Sequence, residues 1–485
     1  MRTDTDTDTE PGVSRDVPSR LSRGNRSIIG VLLVAAFVVI LNETAMNVAL
    51  TRIMLDLRVT ERTAQWLTTG FMLTMAVVIP VTGWLLDRIT RRAAFGLAMS
   101  LFSVGTLVCA VAPTFGVLLA GRVVQASGTA VMMPLLMTTV MNLVPARSRG
   151  TVMGNISMVI SVAPAVGPTL SGLLLQLGSW RFIFAAVLPV ALAMLAAGLR
   201  LLAHGGRTRS TPLDAASVPL TVLGFGGLVY GLSLVGDAHA PAWALPAALG
   251  AGTLGLGAFV ARQLSLQKRD AALLDLRTFR YPIFTVALAM MALAMMALFG
   301  TIITLPLLLQ RAYGMEPVQV GLLMLPGGIM MGVLSPAVGR LYDRTGPKTL
   351  VVPASIVVMA CFAFLSLLTH DTPWWQLMAV HAVMSTAFAF VFTPLFTVSL
   401  GALPGRLYSH GSAMVGTIQQ VAGAAGTALF VTVLAARSVQ ASAVGAAPAD
   451  ALLAGSHWAF LGAGAVWTAA VVAAWFLRKP ADVVE

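Results

Sequence analysis

Fourteen apolar runs, each about 20 residues long, follow one another between Ile28 and Leu477 and dictate what this chain can fold into. They fall at 28–50, 64–86, 93–112, 115–141, 151–175, 182–202, 216–236, 243–262, 282–309, 318–341, 349–368, 375–400, 411–436 and 457–477. A helix of that length crosses a hydrocarbon layer about 30 Å thick. Inside lipid each backbone donor and acceptor has to be satisfied within its own segment, so helices are the expected element. Composition agrees, because 57% of the 485 residues are apolar and 10% are charged, where a soluble domain carries about a quarter of its residues as charges. The expected fold class is therefore an all-α polytopic membrane protein with about 14 transmembrane helices.

The formal charge of +12 does not point to nucleic acid, since the basic residues are scattered through short loops with no basic stripe or aromatic platform. They sort instead by side of the membrane. With the amino terminus inside, the inward loops hold Arg88, Arg91, Arg92, Arg147, Arg149, Arg200, Arg207, Arg209, Arg262, Lys268, Arg269, Arg277, Arg280, Arg340, Arg344, Lys348 and Arg406. The outward loops hold only Arg52, Arg58, Arg62, Arg181, Arg311 and Arg437. The positive-inside rule then predicts both termini in the cytoplasm and a multi-pass plasma-membrane protein. Residues 1–27 are rich in Thr, Asp, Ser and Pro, the composition of a disordered cytoplasmic tail. Cys109 and Cys361 lie in separate apolar runs and suggest neither a disulfide nor a metal site.

The segment Gly83-Trp-Leu-Leu-Asp-Arg-Ile-Thr-Arg-Arg92 recurs as Gly339-Arg-Leu-Tyr-Asp-Arg-Thr-Gly-Pro-Lys348. Both copies follow an even-numbered span, so the halves are expected to be parallel repeats. The predicted layout is a tail at 1–27, a six-helix bundle at 28–202, two extra helices with linkers at 203–281, a second six-helix bundle at 282–478 and a tail at 479–485.

From Ile28 onward the chain resembles the major facilitator superfamily, and within it the fourteen-span drug:proton antiporters. The repeated loop is similar to the family's G-x-L-a-D-R-x-G-R-K signature, and Gly121-Arg-Val-Val-Gln-Ala-Ser-Gly128 resembles R-x-x-Q-G-x-G. Ala163-Pro-Ala-Val-Gly-Pro-Thr-Leu-Ser-Gly172 is similar to the antiporter motif G-x-x-x-G-P-x-x-G-G, which brings in Pro164, Gly167, Pro168 and Gly172. Leu41-Asn-Glu-Thr-Ala-Met-Asn-Val-Ala-Leu50 resembles L-D-x-T-x-x-N-V-A. The departures are Thr90, Ala126, Ala163 and Ser171 in place of glycines, and Asn42 in place of an aspartate. The resemblance implies alternating access, with small lipophilic, cationic drugs expelled against protons, and a monomer that needs no cofactor beyond the proton gradient. It also implies that the loops holding Asp87, Arg88, Arg91 and Arg92, and Asp343, Arg344 and Lys348, lock the cytoplasmic side. Asp87 stands near the start of the third span, where a helix dipole favours a carboxylate.

Only two strongly charged side chains map deep inside the apolar runs, Glu43 and Arg122. Charges at such depth line a water-filled path or pair with one another. Each lies about seven residues from the outer end of its span, hence roughly 10 Å below the surface at 1.5 Å per residue. Two readings stand. Glu43 is the protonated group of the antiport cycle and Arg122 tunes it, or a fixed Glu43–Arg122 or Glu43–Asn47 bridge pins two helices.

His381 is a second titratable candidate, set against the commoner packed histidine, and Asp214 is expected to cap the seventh span. Pro164 and Pro168 are expected to kink a closely packed fifth span. Asn42, Asn47, Gln125, Met133, Phe299, His381, Phe388 and Gln420 are candidates for the substrate cavity, where pliable methionines and aromatics would suit varied cargo. No ATP-binding loop, catalytic triad or metal-ligand cluster is visible, so an enzyme is not expected. Two alternatives remain: a dedicated exporter of one metabolite or antibiotic on the same fold, and a receptor or scaffold that moves nothing.

Overall fold

The computed structural model describes residues 22–176, 178–202, 213–235 and 240–480. The side chains of Asn47, Glu61 and Pro168, and Arg207 and Arg209, lie outside the described residues, as do 1–21 and 481–485. The described residues fold as helices and connecting turns. We label the spans α1 (Arg23–Leu57), α2 (Glu61–Arg88), α3 (Arg91–Ala110), α4 (Phe115–Leu143), α5 (Arg149–Leu175), α6 (Arg181–Leu201) and α7 (Ser217–Ser233). Then come α8 (Ala244–Leu266), α9 (Pro282–Arg311), α10 (Pro317–Thr345), α11 (Lys348–Leu365), α12 (Trp374–Gly401), α13 (Tyr408–Ala443) and α14 (Pro448–Ala474). Thirteen of them are long and apolar enough to cross a membrane; α7 is the shorter one.

Each expected run contains a helix, but several helices outrun the apolar stretch. The first begins at Arg23 rather than after residue 27, because the Ser22 hydroxyl accepts the Asn25 N–H at 3.1 Å and caps it. The last begins at Pro448 rather than 457, with Asp450 in its first turn where the helix dipole favours a carboxylate. Threonines 60, 90 and 114 cap α2, α3 and α4 in the same manner as Ser22. Thr90, which replaces a glycine of the family pattern, thus acts locally, since its hydroxyl accepts the Ala93 N–H at 3.2 Å.

The neighbour relations of α1–α6 repeat in α9–α14. In the first set α1 packs on α4, α5 and α6, α4 on α2 and α3, and α3 on α6. In the second α9 packs on α12, α13 and α14, α12 on α10 and α11, and α11 on α14. The two sets meet along α5–α10 and along α2–α13, which are equivalent seams under the repeat. Glycines bring the seams to backbone contact. Gly339 of α10 lies against the carbonyl of Gly150 in α5, and a Cβ on Gly154 would stand 2.5 Å from the Ser335 carbonyl. The fifth span is a continuous helix whose Gly167 lies against Thr44 and Ala45 of α1. Pro164 is on its exposed face, and Gly172, expected at a close contact, has open space beside it.

The extra spans α7 and α8 pack on each other and on α2 and α13. Their contact is made by glycine on glycine: a Cβ on Gly227 would stand 2.9 Å from the Gly252 Cα, and one on Gly255 would stand 2.7 Å from the Gly224 nitrogen. Small residues of this kind let helix backbones approach in lipid, where no water is available to drive association. α7 also carries a π-helical turn at Val222–Gly226 and has 17 residues where the apolar run suggested a full span.

Candidate functional site

Arg122 is 1% exposed and is held by neutral partners. Its Nη1 donates to Gln125 Oε1 at 2.7 Å and reaches Asn42 Oδ1 at 3.5 Å. Gln125 Nε2 in turn donates to the Thr106 hydroxyl at 2.7 Å, and the guanidinium carbon lies 4.1 Å from the Phe71 ring centroid. Four helices therefore converge on one cation. Backbone packing makes this possible, because Gly105 of α3 lies against the backbone of Gln125, where a Cβ would be 2.5 Å from the Gln125 nitrogen. A buried guanidinium is costly unless its donors are used. Here the Nε of Arg122 and the Nδ2 of Asn42 remain unpartnered and buried.

Glu43 is one residue beyond Asn42, so it points about 100° away around α1 and is half-buried. No hydrogen bond or ion pair joins it to Arg122 among the described residues, so the direct bridge considered from sequence is not formed. Asn42, the departure from the family aspartate, is the residue of α1 that meets Arg122.

The other candidates are dispersed. Phe388 is fully buried in an aromatic stack, with Phe392 at 5.7 Å and Trp467 at 5.8 Å, and so packs α12 against α14. His381 is 8% exposed, and its Nδ1 is unpartnered against Gly327 of α10. Gln420 of α13 reaches the Met75 sulfur of α2 at 4.0 Å, Phe299 lies against Gly423, and Met133 is half-buried. The Asn47 side chain is outside the described residues.

The repeated loops form a matched pair of cross-half contacts. Asp343, in the last turn of α10, accepts the backbone N–H groups of Gly150 and Thr151 at 2.8 Å each and the Thr151 hydroxyl at 2.7 Å. Asp87, in the last turn of α2, accepts the Ser409 hydroxyl and faces His410 Nε2 at 3.3 Å. Gly150 and Thr151 are the second and third residues of α5, and Ser409 and His410 are the second and third of α13. Asp87 therefore serves the amino end of a helix in the other half, not that of α3 as its position in the sequence suggested. Around the pair, Arg88 lies over Trp84 at 5.6 Å and Lys348 over Trp475 at 4.9 Å. Arg91 and Arg92 open α3, and Arg344 is exposed.

The link between α8 and α9 joins this end too. The Asp275 N–H donates to His410 Nδ1 at 3.3 Å, and Gln263 of α8 accepts the Leu273 N–H at 2.8 Å. Burial works against the Asp275 charge, yet the Arg277 bonds at 2.6–3.0 Å hold its carboxyl below the usual range. Asp214, expected as a helix cap, instead takes Arg262 of α8 in a two-point bond of 2.6 Å each and the Ser217 hydroxyl at 2.6 Å. Arg262 pushes its carboxyl down to about 2. Nothing in the sequence singles out Phe71, Thr106, Ser409 or His410, although the Gly150-Thr151 and Ser409-His410 pairs occupy equivalent places in the repeat.

Two seam-packed six-helix sets with a cross-capped end define a membrane transporter of repeated halves. The sequence profile of the Major Facilitator Superfamily matches residues 32–427, and the chain belongs to that family. It is a transporter and not an enzyme. The chain is 38% identical over 409 residues to the lincomycin resistance protein of Listeria monocytogenes, covering 84% of this chain and 86% of that protein. It is also 38% identical over 458 residues to an uncharacterized MFS-type transporter of Bacillus subtilis, covering 94% and 96%. In fold it is similar to the crystal structure of the human organic anion transporter MFSD10, with a TM-score of 0.67 at 15% identity, over 94% of this chain and 99% of that one.

Proposed function

We propose that this transporter is an antiporter that exports small lipophilic, cationic compounds across the cell membrane in exchange for protons, with both termini in the cytoplasm. The observation that carries the reading is the pairing scheme around Arg122. Asn42 and Gln125 take its hydrogen bonds, which leaves the Glu43 carboxylate with no hydrogen bond or ion pair among the described residues. A carboxylate without a fixed partner is free to exchange a proton for a cationic cargo. The cross-capped seams supply the moving part. In the described conformation Asp87 and Asp343 tie the halves together at one end, here called the closed end, and breaking both caps lets the halves rock about the site.

The relative named for lincomycin resistance supports export of an antimicrobial and also favours a second reading, a narrower exporter of one antibiotic class on the same machinery. Proteoliposomes with an imposed pH gradient test the first reading. Wild type is expected to release protons as a cationic dye moves, and Glu43→Gln is expected to abolish that coupling while leaving the folded protein intact. Unchanged proton-driven efflux in Glu43→Gln rejects the assignment. A panel of dyes and antibiotics separates broad cargo from narrow.

A further inference from the structure

A cavity of about 230 Å³ lies at the closed end, between the two halves. Arg147 lines it from the turn before α5, Arg149 from the start of α5, Tyr342 from α10, Thr397 from α12, Tyr408 from α13 and Lys479 from beyond α14. Its described lining holds three cations and no carboxylate. The nearest acid in sequence, Asp343, spends its oxygens on the amide groups of α5. Two helix amino ends, those of α5 and α13, lie at the cavity, and so do two carboxyl ends, those of α10 and α12. Each helix end counts as about half a charge, so these ends offset one another and the described side chains leave the lining positive.

The donors are held in place before any ligand arrives. Arg149 is fixed by bonds from Nε to the Val144 carbonyl at 3.2 Å and from Nη2 to the Met141 carbonyl at 3.0 Å, with its guanidinium over the Tyr408 ring at 5.6 Å. Its Nη1 is not used in those bonds. Lys479 donates to the Asp343 carbonyl at 3.0 Å, which leaves two of its three ammonium hydrogens. Tyr342 and Tyr408 are 3% and 9% exposed, and neither phenol hydroxyl bonds to a described residue. Two largely buried phenols thus share this lining with a guanidinium and an ammonium, and each keeps a hydroxyl hydrogen to donate.

We infer that this cavity binds a phosphate-type anion, either a phospholipid headgroup or free phosphate, and that the bound anion holds the two halves together at the closed end. Guanidinium, ammonium and phenol donors converging from several directions suit a tetrahedral oxyanion, whose charge-assisted bonds are about twice as strong as neutral ones. Because Arg149 belongs to one half and Tyr408 and Lys479 to the other, the anion bridges the seam. The inference concerns binding and does not depend on the proton-coupled reading above.

The test uses the full chain. Inorganic phosphate is titrated into delipidated protein by calorimetry, and native mass spectrometry compares nanodiscs of phosphatidylglycerol with nanodiscs of phosphatidylcholine. The double variant Arg149→Gln/Lys479→Gln is expected to bind at least tenfold more weakly. Tyr342→Phe/Tyr408→Phe, which removes no charge, is expected to bind several-fold more weakly. Arg311→Gln, in the last turn of α9 away from the cavity, is expected to leave binding unchanged. Phosphatidylglycerol retained by wild type, displaced by phosphate and lost in the variants identifies a headgroup site. Phosphate binding with no retained lipid identifies a free-anion site. Absence of both, or equal binding by wild type and the double variant, overturns the inference.

Discussion

The Asp343 carboxylate accepts the Gly150 amide at 2.8 Å, so a residue of the second half caps a helix of the first. Its counterpart Asp87 meets side-chain donors on α13, a hydroxyl and an imidazole, where Asp343 meets two backbone amides. The closed end is therefore expected to depend more on Asp343. Asp343→Asn removes the charge facing the dipole and one acceptor, a loss of about 1–2 kcal/mol. That amounts to roughly a tenfold gain in the fraction open at this end. Distances between spin labels at Ala146 and Arg340 would lengthen in Asp343→Asn and lengthen less in Asp87→Asn. Identical distributions in wild type and Asp343→Asn would refute the capping role.

Asp214 ties the start of α7 to α8 through Arg262, and its carboxyl is pushed down to about 2. A lowered folded value stabilises the protein above the unfolded value, about 3.9, and that stabilisation fades as pH falls toward 2. Asp214→Asn is expected to lower the melting temperature by a few degrees at pH 7. The deficit should narrow between pH 5 and pH 3. Melting curves of the two proteins that stay a constant distance apart over that range would show that the ion pair contributes nothing.

Arg122 offers a direct comparison between the asparagine present and the aspartate it replaces. In Asn42→Asp the long 3.5 Å contact becomes a charge-assisted bond, which draws α1 and α4 together. Its expected effect is a higher melting temperature and weaker dependence of transport on Glu43, because Arg122 then has an acid of its own. Asn42→Leu leaves Nη1 with Gln125 alone and is expected to cost about 1–3 kcal/mol. A melt of Asn42→Asp below that of Asn42→Leu would contradict the hydrogen-bonding scheme.

Thirteen of the fourteen expected spans were legible because lipid demands long apolar helices whatever their packing, and α7 alone falls short of a full crossing. Their ends were not, since Ser22 and Asp450 extend helices with polar residues that lie outside an apolar run. In the site, Arg122, Gln125 and Asn42 stood out singly as polar groups within apolar runs. Which neighbour of α1 meets Arg122 depends on the rotation of that helix about its axis, and successive residues differ by about 100°. A one-residue difference in facing thus separates a bridged Glu43 from an unbridged one. The cross-half caps were hidden for another reason: Asp87 and Ser409 are distant in sequence, and nothing local marks them as partners.

Gly105 gives the sharpest test of how the site is held, because the sign of the effect is at stake. An alanine in a helix ordinarily gains about 1 kcal/mol over glycine. At Gly116, where a Cβ would meet nothing within 4 Å, Gly116→Ala is expected to be neutral or stabilising. At Gly105 the same methyl would lie 2.5 Å from the Gln125 nitrogen and 2.7 Å from its Cα, and backbone atoms cannot swing aside as a flexible side chain can. The helices α3 and α4 must separate, which costs about 1–3 kcal/mol of overpacking. Separation also lengthens the 2.7 Å bond from Gln125 to Thr106, on which the Gln125 acceptor for Arg122 is oriented. Gly105→Ala is therefore expected to melt several degrees lower and to lose transport more than stability alone explains. Gly105→Ala melting at or above wild type would show that α3 and α4 are not in the close contact that holds Arg122.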